Sequence, residues 1–559
     1  MSIEASVATP VRRRPSLLSF AAIAIGLLVA IPILGVMAHL LRPSGTEWRE
    51  TAGIVLPGFL LNTAVLLLAV AIGTTAIGTA TAWLVVMCRF PGRRLFEWAL
   101  ALPLAVPAYV MAYTWTDLLQ FAGPVQTALR DIFGWGARDY WFPEIRSVGG
   151  AATMFVFVLY PYVYLLARTA FIEQSVCALD AGRTLGNGPW RNFARVALPL
   201  ARPAIAAGAA LALMETLADF GTVAYFEVQT FTTGIYRAWF TYNDKVAAAQ
   251  LAGMLLLFAL ALLAIERRSR ADRRFHHTTP RYRPLPAHRL TGARAIAATL
   301  ACAIPLAIGF VIPAVVLLRF AIFSGDAQWG ARYATLALNS VTVAALTAVF
   351  AVLVALGLAY AARTMRRGPT VWVARLAGLG YAVPGIVIAV GVLAPVAAFD
   401  NWLDALLRGS IGISTGLLIT GTIAGVIYAL VVRFLAAALQ PIEAGLAKVT
   451  PNLDGAARTL GAAPGEALRR VHAPMLKGAL ATAGLIVFVD AMKELPATLM
   501  LRPFNFDTLA VQAYNLTRDE RLAEASTAAL SILAVGLLPL IMLTRTILGA
   551  RPGSAEPPL

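Results

Sequence analysis

Residues 180–199 read DAGRTLGNGPWRNFARVALP, and residues 455–474 read GAARTLGAAPGEALRRVHAP. The two stretches share an Arg-Thr-Leu-Gly run, a central proline and a terminal proline, all at one constant offset in residue number. Upstream, Val106-Pro107 matches Val383-Pro384 at a slightly larger offset. Self-similarity at a nearly fixed spacing is the signature of an internal repeat. The chain is therefore predicted to contain two copies of one unit.

The composition of the chain is that of an integral membrane protein. Of its 559 residues, 59% are hydrophobic and only 13% are charged, and the mean hydropathy is +0.74. Soluble domains typically have about 45–50% apolar and about 25% charged residues. The long apolar runs, which lack a strict glycine period, also exclude a disordered chain and a collagen-like fibre.

Twelve stretches are apolar enough, over the roughly 20 residues that a membrane crossing needs, to be spanning helices. They are residues 17–41, 60–86, 97–118, 150–171, 202–223, 247–265, 295–319, 338–361, 372–398, 413–437, 478–500 and 526–548. Six spans per copy give both copies the same orientation, as in parallel repeats about an axis along the membrane normal. The predicted fold is an all-α membrane protein of about 12 transmembrane helices in two six-helix units. Pro107 and Pro384 are predicted to kink helices near the core.

The arginine pattern predicts the topology. Much of the net charge of +17 lies in short arginine clusters between apolar runs, as the positive-inside rule requires of cytoplasmic loops. A nucleic-acid surface would instead concentrate basic charge on one folded domain, so no nucleic-acid partner is expected. Placing the cluster at residues 12–14 inside puts the loops 172–201 and 438–477 and both termini in the cytoplasm. The first apolar run lacks an evident cleavage site and is interpreted as an uncleaved span.

The repeat and the spans together predict six segments of the chain. They are an N-terminal tail with the first span (1–57), a first transmembrane domain (58–266), a basic cytoplasmic linker (267–294), the seventh span with its outer loop (295–334), a second transmembrane domain (335–548) and a C-terminal tail (549–559).

The repeated loop itself predicts a docking element. A glycine that ends one short helix before a second begins would form a helix-turn-helix on the cytoplasmic surface, suited to a groove on a partner. An ordinary loop between spans, in which glycine and proline only mark turns, is the alternative.

These loops resemble the cytoplasmic loop of binding-protein-dependent ATP-driven (ABC) importer permeases of type 1, whose pattern is Glu-Ala-Ala, three residues, Gly, and a hydrophobic-Pro ending. The positions that carry the resemblance are Asp180, Ala181, Gly182, Gly186 and Pro199 in the first loop, and Gly455, Ala456, Ala457, Gly461 and Pro474 in the second. The family's glutamate is replaced at both first positions, and Asp454 is a candidate substitute in the second loop.

The resemblance implies a permease of the bacterial inner membrane that works with two copies of a cytoplasmic ABC ATPase and with a periplasmic or extracellular substrate-binding protein. The chain has no G-x-x-x-x-G-K-[ST] phosphate loop. It is therefore not expected to be an enzyme or to bind a cofactor, and ATP and Mg²⁺ are assigned to the partner ATPase.

Two acidic pairs lie inside predicted spans, where charges are costly and usually functional. Glu215 and Asp219 are spaced i, i+4, and the offset between the repeated loops maps them onto Asp490 and Glu494. Two such faces at the repeat axis would form an electronegative translocation pathway, which Lys493 would partly neutralise. The alternative is that the acids pair locally and stabilise a broken helix.

The same stretches resemble the ferric-iron importer permeases, in ETLADFGTVAYF at residues 215–226 and in KELPATLMLRPFNFDTLA at residues 493–510. Thiamine and polyamine permeases share the architecture and remain alternatives. An ion-coupled secondary transporter or channel is the alternative of a different class, and a membrane redox enzyme is disfavoured because the spans lack paired histidines. The five histidines are scattered, so no metal site in this chain is predicted.

Overall fold

The computed structural model describes residues 17–40, 46–174, 176–186, 188–271, 288–324, 329–364, 373, 377–378, 380 and 383–549. The helices of the first half and its linker are Leu17–His39 (α1), Thr46–Met87 (α2), Arg93–Ala99 (α3), Ala108–Leu119 (α4), Pro124–Phe133 (α5), Val148–Ile172 (α6), Val176–Thr184 (α7), Pro189–Asn192 (α8), Leu198–Ala218 (α9), Gly221–Tyr225 (α10), Phe231–Tyr236 (α11) and Lys245–Ala271 (α12).

The second half repeats this order of helices. Its helices are Ala293–Leu306 (α13), Ile312–Phe323 (α14), Ala331–Thr364 (α15), Gly385–Ile411 (α16), Ile423–Lys448 (α17), Pro451–Thr459 (α18), Pro464–Ala467 (α19), Ala473–Met475 (α20), Lys477–Met492 (α21), Pro496–Leu501 (α22), Leu509–Arg518 (α23) and Leu522–Gly549 (α24). Short π-helical turns at 193–197, 237–241, 307–311 and 468–472 join neighbouring helices.

The helices confirm the predicted all-α membrane fold. Ten helices among the described residues are long and apolar enough to cross a membrane, and two bent helix pairs bring the number of candidate spans to twelve. One pair, residues 93–105 and 108–133, is bent by 93°, and the other, residues 465–475 and 477–492, is bent by 80°. Buried residues from both halves form one continuous apolar core.

Several predicted boundaries differ from the observed ones. The second helix begins at Thr46, far ahead of the predicted residue 60, and its apolar span already begins at Ala52, although Gly53, Pro57 and Gly58 are poor helix formers. The helices predicted to span residues 202–223 and 478–500 end early, at Ala218 and Met492. In each half the helix is interrupted there, and a short helix follows a few residues later. Much of the first part of the span predicted for 372–398 lies outside the described residues, as do the tails and most of the linker.

Pro107 and Pro384 lie at helix starts and do not kink helices. Each proline has an extended backbone (φ −59°, ψ 140° and φ −56°, ψ 140°) and immediately precedes the first residue of α4 or α16. Proline has no backbone N–H to donate inside a helix but fits at a helix start, where that N–H would have no partner. The repeated prolines therefore set matching helix starts in the two halves.

The first span of each half packs against the other half. Helix α1 packs mainly on α16, and the Tyr428 hydroxyl of α17 donates a hydrogen bond to the Leu28 carbonyl at 2.6 Å. In turn, α14 and the turn before it pack on α4 and α6, and the Trp115 indole donates to the Ile308 carbonyl at 3.2 Å. This exchange ties the two copies together through the outer helices as well as through the shared core.

The end of the linker docks beside the first repeated loop. Cys88–Arg89 (β1) pairs in parallel with His288–Arg289 (β2), and the Leu290 amide donates to the Arg89 carbonyl at 3.0 Å. The Arg183 guanidinium lies 3.3 Å from His288 Nε2. Burial, followed by the charge of Arg183, lowers the pKa of His288, which favours the neutral imidazole that accepts this contact.

The close crossing of α1 and α16 yields a stability prediction. A Cβ added at Gly391 would collide with the Pro32 carbonyl oxygen and would lie 3.0 Å from its Cα. Gly391→Ala is therefore expected to destabilise the folded protein by about 1–3 kcal/mol, because the backbones must separate. Thermal unfolding of the purified protein in detergent measures the change.

Gly409 on the same helix is the matched control. It has open space around its missing Cβ, so Gly409→Ala should be neutral or stabilising by about 0.5–1 kcal/mol. Equal unfolding temperatures for the two variants would contradict the tight crossing.

Candidate functional site

A cavity of about 110 Å³ lies where the broken helices of the two halves meet. All five residues predicted for the translocation pathway line it: Glu215, Asp219, Asp490, Lys493 and Glu494. Its other lining residues include Pro107 and Tyr109 of the first half and Arg433 of the second half. The structure thus brings the two predicted acidic faces together, and whether they carry a substrate stays a prediction.

Asp219 occupies the break that ends α9. The next helix, α10, begins two residues later, and its first N–H groups have no partner within the helix. The Asp219 carboxylate accepts hydrogen bonds from the Thr222 amide at 2.9 Å, the Thr222 hydroxyl at 3.0 Å and the Val223 amide at 3.3 Å. The carboxylate therefore satisfies polar backbone that the apolar surroundings would leave unpaired.

Glu494 accepts hydrogen bonds from exposed backbone amides in the same way in the second half. It lies in the break between α21 and α22 and accepts hydrogen bonds from the Ala497 amide at 2.8 Å, the Thr498 amide at 2.9 Å and the Thr498 hydroxyl at 2.8 Å. The alternative that these acids stabilise a broken helix is thus correct for Asp219 and Glu494. Both carboxylates also line the cavity, so the structural role and the predicted pathway position coincide.

Two basic side chains neutralise part of this charge, and both belong to the second half. Lys493 lies 2.9 Å from Asp490, one of the two acids that it was predicted to neutralise in part. Arg433 of α17 lies 2.8 Å from Glu494, and their side chains are 11% and 1% exposed. Sequence analysis missed Arg433, although a lone arginine inside the apolar stretch 413–437 is itself a signal of function.

The cavity is consequently asymmetric in charge. By the offset between the repeated loops, Arg433 corresponds to Val158 and Lys493 to Ala218. Among the described residues, the first half therefore contributes no basic side chain to the lining, which contains four carboxylates and two basic groups in all. With all six ionised, the lining has an excess of two negative charges, which attracts cations.

The acids line the cavity without converging on one point. Among the described residues, no group of three His, Cys, Asp or Glu side chains is close enough to hold a metal ion. The pair His276-His277 in the linker lies outside those residues.

Each repeated loop forms the predicted helix-turn-helix. In the first loop α7 ends before Gly186, and in the second loop α18 ends before Gly461. Both glycines have φ of 79°, a left-handed conformation that glycine adopts without steric cost and that ends helices. The preceding residues, Leu185 and Leu460, are 82% and 87% exposed and project from equivalent corners.

The remaining loop positions divide into exposed and packed ones. Among the ten predicted residues, Asp180, Ala181, Gly186, Gly455, Ala456, Gly461 and Pro474 are exposed, Pro199 is half-buried, and Gly182 and Ala457 are buried. A Cβ at Gly182 would collide with the Asn192 side chain, so the small residue there allows α7 to pack on α8. The exposed set is the surface on which a partner would dock.

Asp454 holds the second loop to the rest of the permease. Its carboxylate accepts from Arg363 Nη2 at 2.9 Å and lies 2.8 Å from Nε2 of the fully buried His472. The His472 ring in turn packs on the Tyr360 ring at 5.1 Å. Asp454 is thus engaged internally, whereas Asp180 is exposed and pairs only loosely with Arg183 at 3.4 Å. Whether Asp454 substitutes for the family's glutamate stays a prediction.

The protein-family model described as "Binding-protein-dependent transport system inner membrane component" matches residues 74–272. The molybdenum transport system permease protein ModB of Escherichia coli K12 is 32% identical over 194 residues, which are 34% of this chain and 81% of ModB. This chain belongs to the binding-protein-dependent permease family. It is a membrane-embedded permease subunit of an ABC importer of the inner membrane.

Two other relatives differ in the solute that their names give. The Fe(3+)-transport system permease protein FbpB 2 of Haemophilus influenzae is 27% identical over 546 residues, which are 96% of this chain and 99% of that protein. The sulfate transport system permease protein CysT of Escherichia coli K12 is 28% identical over 197 residues, 33% of this chain and 68% of CysT. The double-length organisation is thus shared with FbpB 2, whereas ModB and CysT align over about a third of the chain.

Because Glu494 is paired with Arg433, we expect substitution of Glu494 to destabilise the protein more than substitution of Asp219. Glu494→Gln leaves Arg433 buried without its carboxylate, which is expected to cost about 3–5 kcal/mol. Asp219→Asn retains an acceptor oxygen for the α10 cap and should cost about 1 kcal/mol or less. Thermal unfolding of both variants in detergent ranks the costs.

The double variant Arg433→Met with Glu494→Gln is the control. It removes both charges, so it should recover much of the stability that Glu494→Gln loses. Equal destabilisation by the two single variants, without recovery in the double variant, would contradict the assigned ion pair.

Proposed function

We propose that this chain is the fused permease of an ATP-driven ferric-iron importer. The observation that carries the proposal is the cavity at the meeting point of the two halves, whose lining has four carboxylates and only two basic groups among the described residues. A trivalent cation entering this space offsets the repulsion among the carboxylates and exchanges its hydration shell for anionic oxygens. Alignment with an Fe(3+)-transport permease over nearly the whole of both chains supports the same substrate.

The two repeated loops supply the link to ATP hydrolysis in this proposal. Each presents the same helix-turn-helix with an exposed leucine, Leu185 or Leu460, so two copies of one ATPase can bind in equivalent ways. ATP and Mg²⁺ then bind to those subunits, and both termini of the permease lie on their side of the membrane. A soluble binding protein delivers the cation to the opposite side.

Transport of an oxyanion is the second candidate, and a specific observation favours it. Arg433 and Lys493 line the cavity, and guanidinium and ammonium groups are common partners of oxyanions. The molybdenum and sulfate permeases among the relatives agree with such a substrate. Against it, both basic groups are already paired with carboxylates of their own half.

Substrate identity is tested by reconstituting the permease in vesicles with its ATPase and binding protein. ATP-dependent uptake of ferric iron is expected, with molybdate, sulfate, thiamine and spermidine at background, because the cavity has an excess of carboxylates. ATP-dependent uptake of molybdate or sulfate without iron would establish the second candidate. Uptake driven by an ion gradient without ATP would instead indicate a secondary transporter or channel.

The coupling loops are tested by charge substitution at their exposed corners. Leu185→Asp together with Leu460→Asp should abolish co-purification of the ATPase, because charged residues would have to be desolvated at each contact. The fold should survive, since both side chains are mostly exposed.

Phe504→Asp is the matched control for this experiment. Phe504 is 94% exposed and lies between α22 and α23, outside both repeated loops, so its substitution should leave the ATPase bound. Retention of the ATPase by the double leucine variant would rule out the loops as the docking surface.

A further inference from the structure

One arginine ties the end of α15 to the second repeated loop. Arg363, next to the last residue of α15, donates from Nε and Nη2 to the Asp454 carboxylate at 3.1 and 2.9 Å. The same guanidinium donates from Nη1 to the Leu446 carbonyl at 2.6 Å and from Nη2 to the Val449 carbonyl at 2.8 Å. These carbonyls lie at the end of α17, where a helix needs partners from outside it. A single side chain thus joins α15, the end of α17 and the first turn of α18.

A buried histidine makes a second connection to the same carboxylate. His472, in the π-helical turn after α19, is fully buried, and its Nε2 lies 2.8 Å from the Asp454 carboxylate. Its ring packs at 5.1 Å against the ring of Tyr360, which lies one turn ahead of Arg363 on α15. The side chains of Arg363 and Asp454 are each only 18% exposed. These three residues, Arg363, Asp454 and His472, form what we call the loop latch.

All three members of the loop latch have apolar counterparts in the first half. By the two offsets of the repeat, the counterparts are Leu179 for Asp454, Ala197 for His472 and Val86 for Arg363. The first loop instead contacts α2 through two aromatic rings, Trp83 and Phe193, whose centroids are 4.6 Å apart. Such a contact is less directional than a set of charge-assisted hydrogen bonds and permits small displacements. The two loops are therefore attached to their halves in different ways.

The loop latch bypasses the point at which the second loop could pivot. The path from this loop to the cavity bends by 80° between α20 and α21. Asp454 and His472 lie on the loop side of the bend, whereas Arg363 belongs to α15, which packs against α17 and α21. Those two helices bear Arg433 and Asp490 of the cavity lining. The loop is thus connected to the helices of the cavity by a route that does not pass through the bend.

We propose that the loop latch makes the second repeated loop an anchor during ATP-driven transport. By restraining the bend, it makes the ATPase act on the whole second-half bundle instead of on a loop that pivots. This inference rests on the proposed docking of ATPase subunits on the repeated loops. Without the latch the loop would still present Leu460 to the ATPase, but its displacement would be lost at the bend. ATP hydrolysis would then continue while less solute is transported per ATP.

The first test measures iron transported per ATP hydrolysed in vesicles that contain the permease, its ATPase and its binding protein. Asp454→Asn should lower this ratio about tenfold, the factor to which loss of one charge-assisted hydrogen bond corresponds, with ATP hydrolysis within about twofold and the ATPase still bound. Glu466→Gln is the matched control, because Glu466 pairs with Arg470 inside the same loop at 2.9 Å and both side chains are largely exposed. Its ratio should equal that of the unaltered permease.

A reversible cross-link separates a mechanical tie from an effect on folding. In a background without the three native cysteines, Arg363→Cys combined with Asp454→Cys should show the same low ratio. A bis-methanethiosulfonate linker that joins the two introduced thiols should restore the ratio, because it replaces the tie without the charges. A reductant, which cleaves the linker, should lower the ratio again.

The outcomes distinguish the anchor from the proposed function. Equal ratios for Asp454→Asn and Glu466→Gln, or a ratio that stays low after cross-linking, overturn the anchor while ATP-driven transport stands. If the unaltered permease binds no ATPase, or takes up no solute with ATP, the proposed function fails and the anchor fails with it. If the unaltered importer transports a different solute, the same ratios are measured with that solute, so ferric-iron specificity can fail while the anchor stands.

Discussion

The architecture depends on one constraint, which is that a helix broken inside an apolar core must find partners for its exposed backbone amides. Asp219 and Glu494 meet it at equivalent positions by accepting hydrogen bonds from the first turn of the next short helix. A neutral acceptor would satisfy the same amides, but a carboxylate also interacts favourably with the positive end of the helix. The helix breaks therefore place charge at the repeat axis. An unbroken helix would present an apolar surface there instead.

The two halves satisfy these amides in the same way but place different side chains around the capping carboxylates. Val158 and Ala218 keep the first half apolar where Arg433 and Lys493 neutralise the second. An arginine this deeply buried is compatible with the fold only because Glu494 faces it, and the missing Cβ of Gly385 provides space beside both groups. The basic groups of the lining therefore all come from the second half, where each contacts a carboxylate of that half. The matching helices of the two halves thus enclose one cavity with two unlike sides.

Much of this arrangement could be predicted from sequence, because residues related by the repeat offset lie at equivalent positions in the two halves. The offset that maps Glu215 and Asp219 onto Asp490 and Glu494 placed all four acids at one axis, and the structure finds them around one cavity. The same repetition predicted the helix-turn-helix at Gly186 and Gly461.

Features that lack a repeated counterpart were missed. Arg433 has valine at its equivalent position, so it does not stand out in a comparison of the halves. The exchange of α1 and α14 between halves was also invisible, because apolar helices carry no pattern that identifies their partners in a bilayer.

The helices that join the loops to the cavity suggest how the halves would move. In the first half one apolar helical segment runs from Trp190 to Ala218, 29 residues, or roughly 40 Å at the usual rise per residue. It begins in the loop and ends at Asp219, so a displacement of the loop shifts the capping acid as a rigid body. In the second half the path bends by 80° before Lys477. A displacement there is absorbed partly as a change of angle, and Glu494 is further restrained by Arg433 on a separate helix. If ATPase subunits push on both loops equally, the first-half wall of the cavity should move against a comparatively fixed second-half wall.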